Sequence, residues 1–157
     1  MNPPIPLPGI AQLPVPTHEE RTSALLVHVL SIFSGFIVPL IFFLVKKDSR
    51  FVAFHSLQVL IWHVAYMVIF ILGMVAMFVI LFGGFAMHPP GPHGDAPPPY
   101  FMGIFMLVWL FGMGGFVVNL ILGILYAIKA NNGEWALYPV FGKWALRKTF
   151  ENHPQFS

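Results

Sequence analysis

No cysteine occurs among the 157 residues. That absence excludes a disulfide framework, a thiolate metal site and a Cys nucleophile, and it leaves the redox compartment open. Charge is scarce as well: charged residues make up 9% of the chain against 57% hydrophobic ones, a balance that belongs to an integral membrane protein rather than a soluble domain. The N-terminus has neither the basic start nor the short apolar core of a secretory signal and reads as a mature tail. The eight Lys and Arg residues lie next to apolar runs, where basic side chains set topology and meet lipid headgroups, so nucleic acid is not among the expected partners.

What is present is three long apolar runs, which predict an all-α integral membrane protein of three transmembrane helices plus a C-terminal basic interfacial helix. Residues 1–22 carry Pro3, Pro4, Pro6, Pro8, Pro14 and Pro16 and read as an extended tail on the outside, either disordered or laid as a strap over a partner. The membrane domain covers 23–140. Its first span runs from Ser23 to Val45, about 34 Å as a helix and long enough to cross, with a kink at Pro39. Ala24, His28, Ser31 and Gly35 share one small, polar face of it and predict helix packing.

The run Phe51 to Met87 would measure about 55 Å as one helix, more than a bilayer core, so His55 and Gln58 are placed in an interfacial or protruding first turn and the span at Leu60 to Phe82. Gly73 lies on its packing face. The segment 87–99, rich in Pro and Gly and without Lys or Arg, forms an outside loop. In the third span, Tyr100 to Ile128, Gly115, Asn119 and Gly123 recur every four residues, a contact stripe with one amide that needs a partner in hydrocarbon. Residues 141–157 form a cytoplasmic amphipathic segment, with Phe141, Trp144 and Ala145 toward lipid and Lys143, Arg147 and Lys148 at headgroups. Seven of the eight basic residues then lie on one side and Arg21 on the other. This predicts a multi-pass membrane protein, N-terminus outside and C-terminus cytoplasmic.

Ala24, Leu25, Leu26 and His28, then Gly35, Pro39 and Leu40, then Lys46, Lys47, Phe51, Val52, His55 and Gln58, and finally Ala127 to Asn131 with Lys129, followed by Gly133, Glu134, Tyr138 and Pro139, make a pattern across residues 23–140. It resembles a family of small bacterial membrane proteins of unassigned function, itself similar to the Tic-twenty-like subunits of the chloroplast envelope import machinery. That resemblance implies a helical membrane fold, placed in the bacterial inner membrane, and a role in protein translocation.

Reactive chemistry is hard to find. Within the expected spans only His28 and His63 titrate near neutral pH, and ionisable groups in a membrane carry a functional hypothesis by default. Either could serve as an axial ligand to a chlorophyll-type pigment. Their different expected depths, His28 toward the outside and His63 toward the inside, disfavour a bis-histidine haem. The plainer role of His28 and His55 is to fix helix contacts. His88 and His93, with only Asp95 nearby, do not make a metal site. The reading that follows is a non-catalytic accessory subunit of a photosynthetic, respiratory or translocation complex. Its partners are other integral membrane subunits and lipids, and it requires no cofactor but admits a pigment or lipid. The alternatives are a Tic-twenty-like translocation component and a small pigment- or haem-binding subunit.

Overall fold

Local chemistry at Thr17 decides where the first helix begins. In the computed structural model, which describes residues 13–87 and 99–151, the Thr17 hydroxyl accepts from the Glu20 backbone N–H (3.3 Å) and the Glu20 carboxylate accepts from the Thr17 N–H (2.7 Å). This capping box satisfies two otherwise orphaned donors. Helix α1 therefore spans His18–Ser34, starting five residues before the expected boundary at Ser23. Most of the Pro-rich tail, residues 1–12, and the loop at 88–98 lie outside the described residues. The described end of the tail is laid on its own chain: Leu13 is buried and the Trp135 indole donates to the Pro14 carbonyl at 3.0 Å.

The run from Ser23 to Val45 is not one helix. Gly35 adopts φ 60°, ψ −126°, a conformation that essentially only glycine reaches without strain. The chain breaks there and resumes as α2, Ile37–Val45. Pro39 makes no kink, because it sits in the first turn of α2, where its missing N–H costs nothing. Lys46 Nζ meets Glu19 Oε1 at 2.6 Å and the Ser49 hydroxyl donates to Glu20 at 2.7 Å. The start of α1 and the end of α2 are thus held together as a hairpin whose two ends share a level. The Lys46 hydrogen bond and charge hold the Glu19 carboxyl below its usual range. At Glu20 burial pushes upward, but the Ser49 and Thr17 hydrogen bonds outweigh it and the net shift is down.

Ser49 also caps the next helix, accepting from the Val52 N–H at 3.1 Å. Helix α3 runs Arg50–Met87 and α4 runs Pro99–Asn131; among the described residues these two are the helices long and apolar enough to cross a membrane. The expected first span, at 23–45, is divided between α1 and α2. Helix α5, Gly142–Glu151, ends the described chain.

The chain divides into two compact units, one made of residues up to Val64 together with those from Asn119 onward, the other of Ala65–Val118. The first holds a core of Ala24, Phe51, Phe54, Leu57, Ala130 and Trp135. Helix α5 completes that core with Ala145 and Leu146, while Thr149 beside them is buried too. The expected lipid-facing set of Phe141, Trp144 and Ala145 is therefore split: Ala145 is buried in protein while Trp144 is exposed. Of the three expected headgroup contacts, Lys148 pairs with Glu151 at 2.7 Å, and Lys143 and Arg147 lie exposed.

In the second unit α3 and α4 pack as an antiparallel pair. Tyr66 donates to the Gly112 carbonyl (3.1 Å), and its ring lies where a Cβ on Gly115 would go. Gly115 thus leaves room for the Tyr66 ring. Gly73 does not, for nothing lies within 4 Å of a Cβ placed there. Gly35 likewise acts through its backbone angle rather than by close approach. Gly35→Ala is expected to destabilise the fold by about 1–3 kcal/mol, whereas Gly73→Ala, in open helix, is expected to stabilise it by up to about 1 kcal/mol. Unfolding in mixed detergent micelles followed by circular dichroism separates the two.

Candidate functional site

Where α4 ends, the backbone is steered into the protein. Gly133 takes φ 79°, the Glu134 N–H bonds the Lys129 carbonyl (2.9 Å) and the Gly133 N–H bonds the Ala130 carbonyl (3.0 Å). This is a Schellman closure, in which the left-handed residue is glycine for want of a Cβ penalty. A side chain at Gly133 would also press on Pro16 and Arg21. The chain then descends past the first turns of α3, carrying Glu134, Ala136 and Tyr138 against His55 and Gln58.

His55 and Gln58, three residues apart on one helical face, meet His28 of α1 there; all three are fully buried. Gln58 works as a peptide clip: its Nε2 donates to the Ala136 carbonyl at 3.1 Å and its Oε1 accepts from the Tyr138 N–H at 3.2 Å. His55 Nε2 lies 3.2 Å from the Glu134 carbonyl, His28 Nε2 lies 3.0 Å from His55 Nδ1, and the Tyr138 hydroxyl lies 3.3 Å from His28 Nδ1.

These contacts settle the tautomers. A carbonyl only accepts, so His55 carries its proton on Nε2 and accepts at Nδ1. His28 must then donate from Nε2 and accept at Nδ1, and Tyr138 supplies that donor. Burial pushes the Tyr138 phenol up, helped by neighbouring Tyr126, so it remains an O–H. The chain of donors runs Tyr138 to His28 to His55 to Glu134, with two neutral rings. Aromatic packing closes around it: Phe51 and Phe54 lie at 4.5 and 5.0 Å from the His55 ring, Tyr138 stacks on His28 at 5.8 Å, and Tyr126 donates to the Leu137 carbonyl at 2.7 Å.

His28, expected at a different depth from His55 and Gln58, lies directly against His55. Because α1 is one arm of a hairpin, His28 sits level with the start of α3. Both of its ring nitrogens are engaged, leaving none for an axial ligand. His63 differs: Nδ1 bonds the Val59 carbonyl at 2.9 Å, and Nε2 is buried without a partner. Ser31 donates to the His28 carbonyl of its own helix (2.8 Å), and a Cβ on Gly123 would meet Ile32 and approach that same carbonyl. The Asn119 side chain, expected to bond another helix, makes no hydrogen bond among the described residues.

Of the remaining motif positions, Lys46 closes the hairpin, Phe51 lies in the core, Lys129 caps the Tyr126 ring at 5.6 Å, and Lys47 and Asn131 are exposed. The sequence reading missed the loop's part in the site, Tyr138 and the carbonyls of Glu134 and Ala136. Two buried histidines and a glutamine with too few partners on their own helices were the available signal. No three His, Cys, Asp or Glu side chains gather as a metal site among the described residues.

Gln58→Leu strands the Ala136 carbonyl and the Tyr138 N–H and is expected to cost about 2–4 kcal/mol, whereas Tyr138→Phe, which loses one bond, is expected to cost about 1 kcal/mol. Unfolding in micelles gives both values, and nitrogen-15 shifts of His28 and His55 should report two neutral rings protonated at Nε2.

No curated protein and no solved structure matches the chain. Residues 19–145 match the profile of the MamF/MmsF family, the magnetosome magnetite crystal formation proteins. That match takes in the hairpin, both long helices, the loop of the buried network and the start of α5. It overturns the resemblance to Tic-twenty-like translocon subunits, and neither a translocation nor a photosynthetic role has support. The residues that carried the resemblance, from Ala24 to Pro139, all fall inside the matched region, and the chain belongs to the magnetosome magnetite crystal formation protein family.

Proposed function

We propose that this protein is a non-catalytic accessory subunit of the magnetosome membrane, supporting magnetite crystal formation by assembling with other integral membrane subunits. The observation that carries this reading is that the polar groups of the buried His28–His55–Gln58 network are spent on the fold. Both ring nitrogens of His28 and of His55, and both ends of the Gln58 amide, bond within the protein, so the network builds a rigid platform on the membrane helices. In this reading no cofactor is required. A second reading, a pigment or haem held through one axial bond, rests on the unpartnered Nε2 of His63, and a Soret band in the purified protein would favour it.

Charge supports two spans with both ends on the cytoplasmic face. All eight Lys and Arg fall in the first unit and none between Ala65 and Val118, which suits a hairpin that returns to the side it left. Cysteines introduced at Val15 and Val140 are expected to label from one face of sealed vesicles and one at Met87 from the other; labelling of Val15 and Val140 from opposite faces would overturn this topology. Gentle extraction from magnetosome membranes followed by native mass analysis is expected to show the chain travelling with other membrane proteins. A lone monomer with normal crystals in cells lacking the chain would overturn the accessory role.

A further inference from the structure

We propose that the α1–α2 hairpin is embedded in a single leaflet, entering among the acyl chains and returning without crossing. This deepens the two-span reading and rests on it for the side from which the hairpin enters.

Length comes first. Helix α2 has nine residues, about 14 Å at 1.5 Å per residue, close to half of a ~30 Å hydrocarbon core. It cannot cross, and from Thr22 to Val45 the hairpin contains no Asp, Glu, Lys or Arg. Its outward surface is apolar along the whole depth: Leu26, Leu30 and Phe33 on α1 follow helical spacing, and Ile37, Leu40, Ile41, Leu44 and Val45 share one face of α2. Phe33, at the tip, is 86% exposed and Val45, at the base, 69%. Surface of this kind in water would be a large unpaired patch.

The polar groups are arranged as a lipid environment demands. At the open end stand Glu19, Glu20, Arg21, Lys46, Lys47 and Asp48, an ionic collar at one level, with the Lys46–Glu19 pair joining the two helices. At the tip several polar groups find partners within the chain, while Phe36, the N-cap of α2, offers no side-chain cap; pairing matters because an unsatisfied N–H in hydrocarbon costs several kcal/mol. Gly35 N–H bonds the Ser31 carbonyl (2.9 Å), Leu40 N–H bonds the Phe36 carbonyl (3.1 Å), Ser34 turns its hydroxyl back to the Leu30 carbonyl (2.9 Å), and Pro39 has no N–H to leave unpaired. A collar of charge at one end, a greasy tip at the other and half a bilayer between them match one leaflet, from headgroups to midplane. A protein partner would need no such gradient.

The cysteine-free chain allows the test directly. Nitroxide labels placed singly through Phe33→Cys, Ile37→Cys, Leu44→Cys and, as the aqueous reference, Val15→Cys are read in vesicles of phosphatidylcholine and phosphatidylglycerol, with circular dichroism confirming the helical content of each variant. The ratio of oxygen to nickel-complex accessibility is expected to be several-fold higher at Phe33 and Ile37 than at Leu44, and lowest at Val15. Phe33 should lie near the bilayer centre, about 15 Å below the headgroups. Nickel accessibility at Phe33 equal to that at Val15 would place the tip in water, and protection from both reagents would place it against a second copy or another protein. Either outcome overturns the proposal. A normal depth profile combined with opposite-face labelling of Val15 and Val140 would instead fault the topology and leave the one-leaflet hairpin standing.

Discussion

The clip that Gln58 makes on the backbone of residues 136–138 is the contact on which the rest of the first unit depends. A carboxamide taken wholly out of water must have both ends satisfied, and only an extended stretch of backbone offers a carbonyl and an N–H at the right spacing. Once the loop is held there, the Glu134 carbonyl faces His55, the Tyr138 hydroxyl faces His28, and the loop leads directly into α5, whose Ala145 and Leu146 finish the core over Phe51 and Phe54. Irregular backbone in a membrane protein is tolerated where protein covers it, and this loop is so covered. The chemistry of a glycine turn, an amide and two imidazoles is thereby converted into position.

Much of this was legible in the sequence, and the limits have physical causes. Apolar run length placed the ends of α3 and α4 to within three residues, because apolar runs of that length next to a Pro- and Gly-rich segment admit few alternatives. Gly115 and Gly123 were readable as close-approach positions, since small residues at four-residue spacing leave a groove that Tyr66 and Ile32 then fill. The run at 23–45 misled for a specific reason. Its length and hydropathy are those of a span, and what breaks it is a single backbone angle at Gly35, which composition does not reveal. Pro39 drew attention as the visible helix breaker, yet proline is harmless in a first turn. The Thr17–Glu20 capping box was in plain view and marks the helix start better than the hydrophobic boundary does.

The site was half legible. His28, His55 and Gln58 stood out as polar groups in an apolar setting, but their common destination did not, because it lies about 80 residues along the chain in a loop whose contribution is mostly main-chain carbonyls and one N–H. Side-chain patterns do not announce such partners. His63 was singled out with His28, yet the two have different fates: one is saturated with hydrogen bonds, the other keeps a nitrogen free.

The direction of the donor chain from Tyr138 through His28 and His55 has an electrical consequence. Each link points the same way, and the last acceptor is a peptide carbonyl, which has almost no tendency to take up a proton. A relay needs a terminal base and groups free to turn over after each transfer, and here Gln58 and the aromatic rings hold His55 in place. A row of histidines in a membrane protein ordinarily suggests a wire. This one is terminated like an insulator, and it can cross-link helices without opening a leak for protons.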